Sequence, residues 1–561
     1  MTGSMVNAYT TPLNNYSRNI IECPSTWKGT FNSGYLIPIF WCPTLPGDTI
    51  KLDTTFFCRL STQVLPPMDN IYLDFHFWYV PDRLRWDNFQ KFMGERISPD
   101  DSIDFLEPTV NSGTDGFAYE SPFDYIGCPP GIKNYDVNSG IFRSMNLIWN
   151  EWYRDENLQD SLEVPLGDGP DDKKLFPLLH RGKRGDYFTT CLPQPQKGPG
   201  VELPLGLSAP VYYAGASEDL TPYGDKTAYV IHGGVRYNYG FTEGRLYNTD
   251  GTKKTSPSGQ IMGVSPIAEI TSYTGVPSGT AAQSGHKMAL RADLTEATSA
   301  TINSLRQAIA LQQFLERDQR SGTRYIELIL SHFGVLSPDA RLQRPEFLGG
   351  TTTMINVNVV PQTSASVEAS PQGNLTAYST SSGTRIGFTH SFVEHGMIIG
   401  FACARTDLTY QQGIDRLLTK RTRYDYYWNT FAHLGEQSVL NKEIYVQDKT
   451  VLDPTDNETP INELPFGYQE RYSEYRYKNS LITGKFRSSY PQSLQNYHYS
   501  QYFGELPKLN SDFIEVPTGD NSPIKRTLAV TTEPEFMMDC FHDLVKITEV
   551  SIDGNPGLTR L

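Results

Sequence analysis

Residues 50–60 read IKLDTTFFCRL. Ile50, Leu52, Thr54, Phe56, Cys58 and Leu60 share one face, and Lys51, Asp53, Thr55, Phe57 and Arg59 share the other. A period of two belongs to a strand with one buried side. Pro46, Gly47 and Asp48 supply a turn signal just ahead of it. Residues 71–80, IYLDFHFWYV, alternate again, with Ile71, Leu73, Phe75, Phe77 and Tyr79 facing one way. Here both faces carry aromatics, so the strand is expected to be covered on both sides, by a second sheet or by a loop.

Further strands follow at a distance. Residues 396–404, GMIIGFACA, form a continuous apolar run of central-strand length. Ile355, Val357 and Val359 alternate with Asn356 and Asn358. Tyr472–Ile482 and Asp539–Val550 are weaker candidates. Between these strands lie helical patterns. Trp86–Gly94 reads as a short amphipathic helix with Trp86, Phe89 and Met93 on one side, and Ile141–Asn157 as another carrying Trp149, Trp152 and Tyr153. Ile302, Leu305 and Ile309 keep helical spacing, widened by Leu311, Phe314 and Leu315. Gly322 breaks the pattern. Tyr325, Ile326, Ile329, Leu330 and Phe333 line a second helix ended by Gly334. Such stripes read as core packing, not as a cofactor box. Strands at both ends and helices in the middle give a mainly β chain, a β-sandwich or jelly roll with long insertion loops and a few helices.

The 561 residues would fill three or four ordinary domains. No Gly/Ser run, charge block or low-complexity tract marks a linker, which favours one sandwich with long excursions. Residues 205–285 differ in texture, with short pieces such as GGVRYNYG and YNTDGTKK rich in Gly, Thr, Ser and Tyr. They read as an inserted, hairpin-rich subdomain. The expected division is 1–204, 205–285 and 286–561.

Tyr (33), Phe (28) and Pro (38) are plentiful while charged residues are only 20% of the chain, a composition that leans to strands, long loops and contact surfaces. The net charge of −15 excludes a surface that neutralises phosphates everywhere. Contact with nucleic acid would need a local basic patch or a separate basic partner. The seven cysteines, Cys23, Cys42, Cys58, Cys128, Cys191, Cys403 and Cys540, contain no CxxC pair and read as reduced thiols in a cytosolic setting. Cys58 and Cys403 fall in apolar strands. The opening MTGSMVN has neither a basic start nor an apolar core, so no signal peptide is expected.

The chain contains no GxSxG elbow, Walker A loop, GxGxxG or HExxH. The nearest miss is His390, Glu394 and His395, one residue too long for an HxxEH zinc motif. On a strand, His390 and His395 would face opposite ways. Asp100-Asp101 and Asp171-Asp172 read as solvated turn residues or helix caps. No cofactor is called for. Two basic clusters stand out: His180, Arg181, Lys183 and Arg184, and Arg416, Lys420, Arg421 and Arg423 followed by Tyr424, Tyr426, Tyr427 and Trp428. Cations beside rings suit single-stranded nucleic acid, where charges track phosphates and rings stack on bases. The competing reading is a solvated or inter-subunit face.

A series of segments carries a family resemblance. It includes FNSGYLIPI (31–39), LPGD (45–48), MDNIYLD (68–74), VPDRLRWDN (80–88), KFMGE (91–95), LPQPQKGP (192–199) and LERD (315–318). It continues through GTRYIE (322–327), SHFGV (331–335), QRPEFLG (343–349), EHG (394–396) and HLGEQ (433–437). In this order the chain resembles the major capsid proteins of gokushoviruses, icosahedral bacteriophages of the Microviridae. The resemblance spans about residues 30–440. It implies a structural subunit, not an enzyme, folded as an eight-stranded viral jelly roll. It also implies a T=1 shell of identical copies around circular single-stranded DNA, assembled in the bacterial cytoplasm. The implied partners are an internal scaffolding protein, a minor pilot protein, a small basic DNA-binding protein and a host surface receptor, the last engaged by a three-fold protrusion placed at 205–285. The reading of the residues alone left two alternatives, a secreted carbohydrate-active β-sandwich enzyme and a host-binding adhesin.

Overall fold

The computed structural model describes residues 17–96, 98, 100–201, 302–320, 325–334, 342–364, 366, 372–455 and 457–552. Within 205–292 it describes only the backbone of Val211–Tyr213, Ala228–His232, Val235–Tyr239 and Leu290–Ala292. The rest of the 205–285 subdomain expected above lies outside the described residues. Two compact units emerge, one of residues 1–197 with 315–561 and one of residues 198–314. In the smaller unit, Ala228–His232 pairs antiparallel with Val235–Tyr239.

The larger unit holds the sandwich. Its strands are β1 (Asn19–Glu22), β2 (Ser25–Phe31), β3 (Ile37–Thr44), β4 (Thr49–Gln63), β5 (Ile71–Pro81), β6 (Glu346–Met354), β7 (Asn356–Pro361), β8 (Leu375–Ser391), β9 (Gly396–Thr406) and β10 (Phe536–Thr548). In one sheet β1 and β2 both pair with β10, followed by β4, β8 and β7. The other runs β6, β5, β9, β3. All these pairings are antiparallel. Taking β1–β2 and β7–β8 as single units leaves eight strands in chain order. The sheets then read 1-8-3-6 and 2-7-4-5. First pairs with last, second with seventh, third with sixth and fourth with fifth, as when one long hairpin is rolled up, which is the jelly roll. Two excursions leave the roll, one from 82 to 345 and one from 407 to 535.

The period of two in β4 decides its orientation. Ile50, Leu52, Thr54, Phe56, Cys58 and Leu60 are buried, and Lys51, Thr55, Phe57 and Arg59 face out. The inner faces of both sheets make the main core, where Phe56 meets Phe75 at 4.5 Å between ring centres. Burial pushes the Cys58 thiol up to about 12, so it packs as a small hydrophobe. β9 lies between β3 and β5 with every residue buried. At Gly400 a Cβ would come within 2.7 Å of the Phe77 ring, so the close approach of the strands requires glycine.

β5 is covered on both sides. Its second face, with Trp78 and Val80, joins Ile399, Phe401 and Cys403 of β9 in a second core. Helix α1 (Gly140–Trp152) with Phe117, Phe123 and Phe176 closes that core from the first excursion. Trp78 Nε1 donates to the Tyr153 hydroxyl at 2.9 Å, and His76 Nδ1 lies 2.8 Å from the same oxygen.

Several expectations are corrected. Trp86–Gly94 is not one helix: Asp82–Arg85 and Phe89–Phe92 are separate single turns, and Met93 is exposed. Tyr472–Ile482 is no strand, because Tyr472 adopts φ 62° and starts a 3-10 turn over Ser473–Tyr475. Asp171 is not a solvated turn residue. It is buried in a two-pronged ion pair with Arg143, at 2.7 Å on each side, while Asp172 does cap a 3-10 turn. Helices α2 (Ile302–Arg320) and α3 (Tyr325–Phe333) form as read, yet Leu305, Ile309, Leu311, Phe314, Leu330 and Phe333 are exposed on the single chain.

Candidate nucleic-acid interface

The second excursion has little periodic burial. Polar side chains shape it by bonding to backbone and to each other. A small core of Tyr187, Phe188, Cys191, Val439, Ile444, Phe466, Phe513 and Ile514 lies beneath it, together with a two-stranded ribbon of Glu436–Leu440 and Pro465–Glu470.

The five candidate residues divide on this base. Arg416 points inward, donating to the Ser438 carbonyl at 2.6 Å and to the Glu443 carboxylate at 2.9 Å. Glu443 also accepts from the Tyr187 hydroxyl at 2.8 Å and the Leu440 N–H at 2.9 Å. Burial raises its carboxyl, against the pull of Arg416. Lys420 is equally occupied. It meets Glu474 at 2.9 Å with both side chains almost wholly buried, and lies 4.1 Å over the Tyr475 ring. Burial lowers this lysine, but its contacts with Glu474 and Tyr475 outweigh that and hold it above its ordinary value.

Arg421, Arg423 and Tyr424 face solvent instead. The Arg421 and Thr422 N–H groups donate to the Asp425 carboxylate at 2.9 and 2.7 Å. These bonds, Thr422 first, pull Asp425 below the usual carboxylate range. The Arg423 guanidinium sits 4.8 Å over the Tyr424 ring, and Trp428 Nε1 donates to the Arg423 carbonyl at 2.7 Å. Tyr424, Tyr427 and Trp428 remain 54, 51 and 51% exposed. Rings half open to solvent beside exposed cations are an arrangement that suits the stacking of unpaired bases.

The other basic cluster is built into the fold. Arg181 lies over Tyr153, Lys183 over Phe513 and Arg184 over Tyr72, at 4.7, 4.2 and 4.3 Å. Burial pushes Lys183 down to about 8. His390 lies 3.6 Å from Glu346 and against the Phe392 ring, whereas His395 packs edge-on to Phe89.

A neighbouring basic segment escaped the motif reading. Residues 475–504 hold Arg476, Lys478, Lys485 and Arg487 with no Asp or Glu. Arg487 donates to the Gln411 carbonyl at 2.7 Å, and Gln411 and Ser488 exchange two further bonds, so this segment abuts the first. Its signal in the sequence is an acid-free run in an acidic chain, sparser in cations than either basic cluster.

A jelly roll with two long excursions, whose candidate site is a contact face and not a reaction centre, has the form of a shell subunit. The comparisons agree. The family described as "Capsid protein (F protein)" matches residues 10–558. Capsid protein VP1 of Bdellovibrio phage phiMH2K is 44% identical over 538 residues, covering 94% of this chain and 93% of the relative. Capsid protein VP1 of Chlamydia phage 1 is 42% identical, covering 95% and 94%, and that of Spiroplasma virus 4 is 34% identical, covering 98% and 96%. The chain belongs to the capsid F protein family. It is a major capsid protein, a structural component of the virion that associates with its own copies, and not an enzyme.

Proposed function

We propose that this capsid protein forms a T=1 icosahedral shell around circular single-stranded DNA and that Arg421, Arg423 and Tyr424 touch the genome. The observation that carries the DNA contact is the pair of exposed guanidiniums beside half-open rings, in a chain of net charge −15. Arg416 and Lys420 hold that face in shape through Glu443 and Glu474. So acidic a chain neutralises only part of the enclosed phosphate, which leaves room for a small basic DNA-binding protein. An internal scaffolding protein and a minor pilot protein complete the assembly in the host cytoplasm. Residues 205–285 form the host-attachment protrusion at the three-fold axes.

Replacing Arg421 and Arg423 together with Ala is expected to lower packaged DNA per particle while empty shells still assemble. DNA content measured on purified, nuclease-treated particles checks this. Unchanged content with altered shell yield would assign both arginines to contacts between subunits.

A further inference from the structure

We infer that residues 475–495 form a second binding segment for single-stranded DNA, continuous with the Arg421–Trp428 face. The inference rests on the genome contact proposed for that face.

The first ground is charge. From Tyr475 to Gly504 the chain carries four cations and no acid, while the whole protein carries 63 acidic and 48 basic residues. Lys485 and Arg487 are exposed. Arg476 pairs with Glu470, and Lys478 lies 3.6 Å from Asp415 with three-quarters of its side chain open. Exposed Lys and Arg that exceed the local acids gather phosphate and release its counterions.

The second ground is the fixed shape of the loop. The Lys485 carbonyl accepts from the Leu494 N–H at 2.8 Å and from the Ser493 hydroxyl at 3.2 Å, which closes the loop between them. The Phe486 carbonyl lies 2.7 Å from Nε2 of the buried His498. As a carbonyl can only accept, that nitrogen carries the proton. Arg526 donates to the His498 and Ser500 carbonyls at 2.6 and 2.9 Å and anchors the base of the loop. Lys485, Arg487 and Tyr490 therefore project from a pinned backbone.

The third ground is continuity. Tyr427 packs on Tyr472 and Tyr475 at 5.0 and 6.3 Å, which joins the rings of the two segments. Tyr475, Tyr477 and Tyr490 are 50, 41 and 47% exposed. Open rings spaced among cations suit unpaired bases. A duplex keeps its bases stacked on one another and offers such rings nothing but its ends.

Binding of the full-length subunit to a fluorescein-labelled oligo(dT), and to a duplex of the same length, tests this across a salt series. Each lost phosphate contact flattens the plot of log affinity against log salt by about 0.7 for a single strand. The K485A/R487A double variant is expected to flatten it by about 1.4, and K485R/R487K to restore it. Tyr490→Ala is expected to weaken binding roughly tenfold at unchanged slope. The R421A/R423A variant runs beside them. If it flattens the slope while K485A/R487A does not, the second segment is ruled out and the first stands. The reverse keeps the segment and removes the first face. Neither changing, or no binding by the wild type, overturns both. Equal affinity for the duplex overturns the single-strand assignment. Lost shell assembly with intact oligo(dT) binding makes the segment a contact between subunits.

Discussion

The strand β9 and the excursion that follows it lie next to each other in the chain and are stabilised in opposite ways. Every residue of β9 is buried, most are apolar, and the strand is paired on both edges. Among its described residues the excursion from 407 to 535 has one short ribbon, eleven single helical turns and a small core. It is held by Arg416 on Glu443, Lys420 on Glu474, Gln411 on Ser488 and Arg526 on two carbonyls. Hydrophobic burial is non-directional and grows with area, so it sets a robust fold. Hydrogen bonds and ion pairs fix particular side chains at particular points, which a surface for recognising a charged polymer needs. The sandwich thus supplies stability, and the excursion supplies a shaped polar face.

The sharpest way to break this contrast is in the sandwich. Phe75 is fully buried and meets Phe56 of the facing sheet. Phe75→Ala removes most of a ring from a packed core and is expected to cost about 4 kcal/mol in the urea denaturation of dissociated subunits. A loss below about 1 kcal/mol would mean that the inter-sheet core relaxes freely and does not carry the stability.

A second test titrates the same core. His542 lies between the sheets, with Nε2 3.1 Å from the Ile39 carbonyl and Nδ1 3.0 Å from the Thr54 hydroxyl. The carbonyl fixes the proton on Nε2, so Nδ1 accepts from Thr54. Burial pulls the imidazole from 6.5 down to about 4. The unfolded chain therefore takes up its proton first. The stability is whole above pH 6.5 and falls as pH drops towards 4, by about 3 kcal/mol from this residue. Comparing wild type with His542→Gln over that range isolates it, since the carboxylates titrate in both. Parallel pH profiles would show that the imidazole is not held neutral.

These two regions also differ in how far they can be read from sequence. The alternation in 50–60 and the two-faced aromatics of 71–80 predict β4 and β5 because burial in a sheet follows a period of two. The apolar run at 396–404 predicts β9 for the same reason. Trp86–Gly94 misleads, because Trp86 adopts an extended conformation between two helical turns although the spacing looks continuous. In the excursion periodicity is silent. Tyr472–Ile482 mixes rings with polar residues, and there Tyr472 takes a left-handed backbone conformation ahead of a 3-10 turn while Glu474 turns in to Lys420. Of the five candidate site residues, composition identifies the basic-aromatic cluster but cannot separate Arg416 and Lys420 from Arg421 and Arg423. That separation depends on Glu443 and Glu474, which lie well downstream in the chain. Asp171 is hidden likewise, since its partner Arg143 sits on α1 with no local signal. The exposed apolar stripe of α2 is legible as a stripe. Whether its cover is the same chain or another copy is not encoded in the spacing.

The mildest test sharpens the excursion's side of the contrast. Glu443→Gln keeps the shape of the side chain: its amide oxygen can accept from the Leu440 N–H and Arg416, and its NH2 group can donate to the Tyr187 hydroxyl oxygen, but the charge facing Arg416 is removed. Arg416 is partly buried and keeps its bond to the Ser438 carbonyl, so it is not wholly abandoned. The expected cost is about 2 kcal/mol, the scale of one charged hydrogen bond and half that of the Phe75 truncation. Its location matters more than its size. Amide hydrogen exchange is expected to quicken across 411–445 while β4, β5 and β9 keep wild-type protection, because the excursion opens as its own unit. Uniform acceleration through the strands would mean that Glu443 supports the whole fold and that the two regions are one cooperative body.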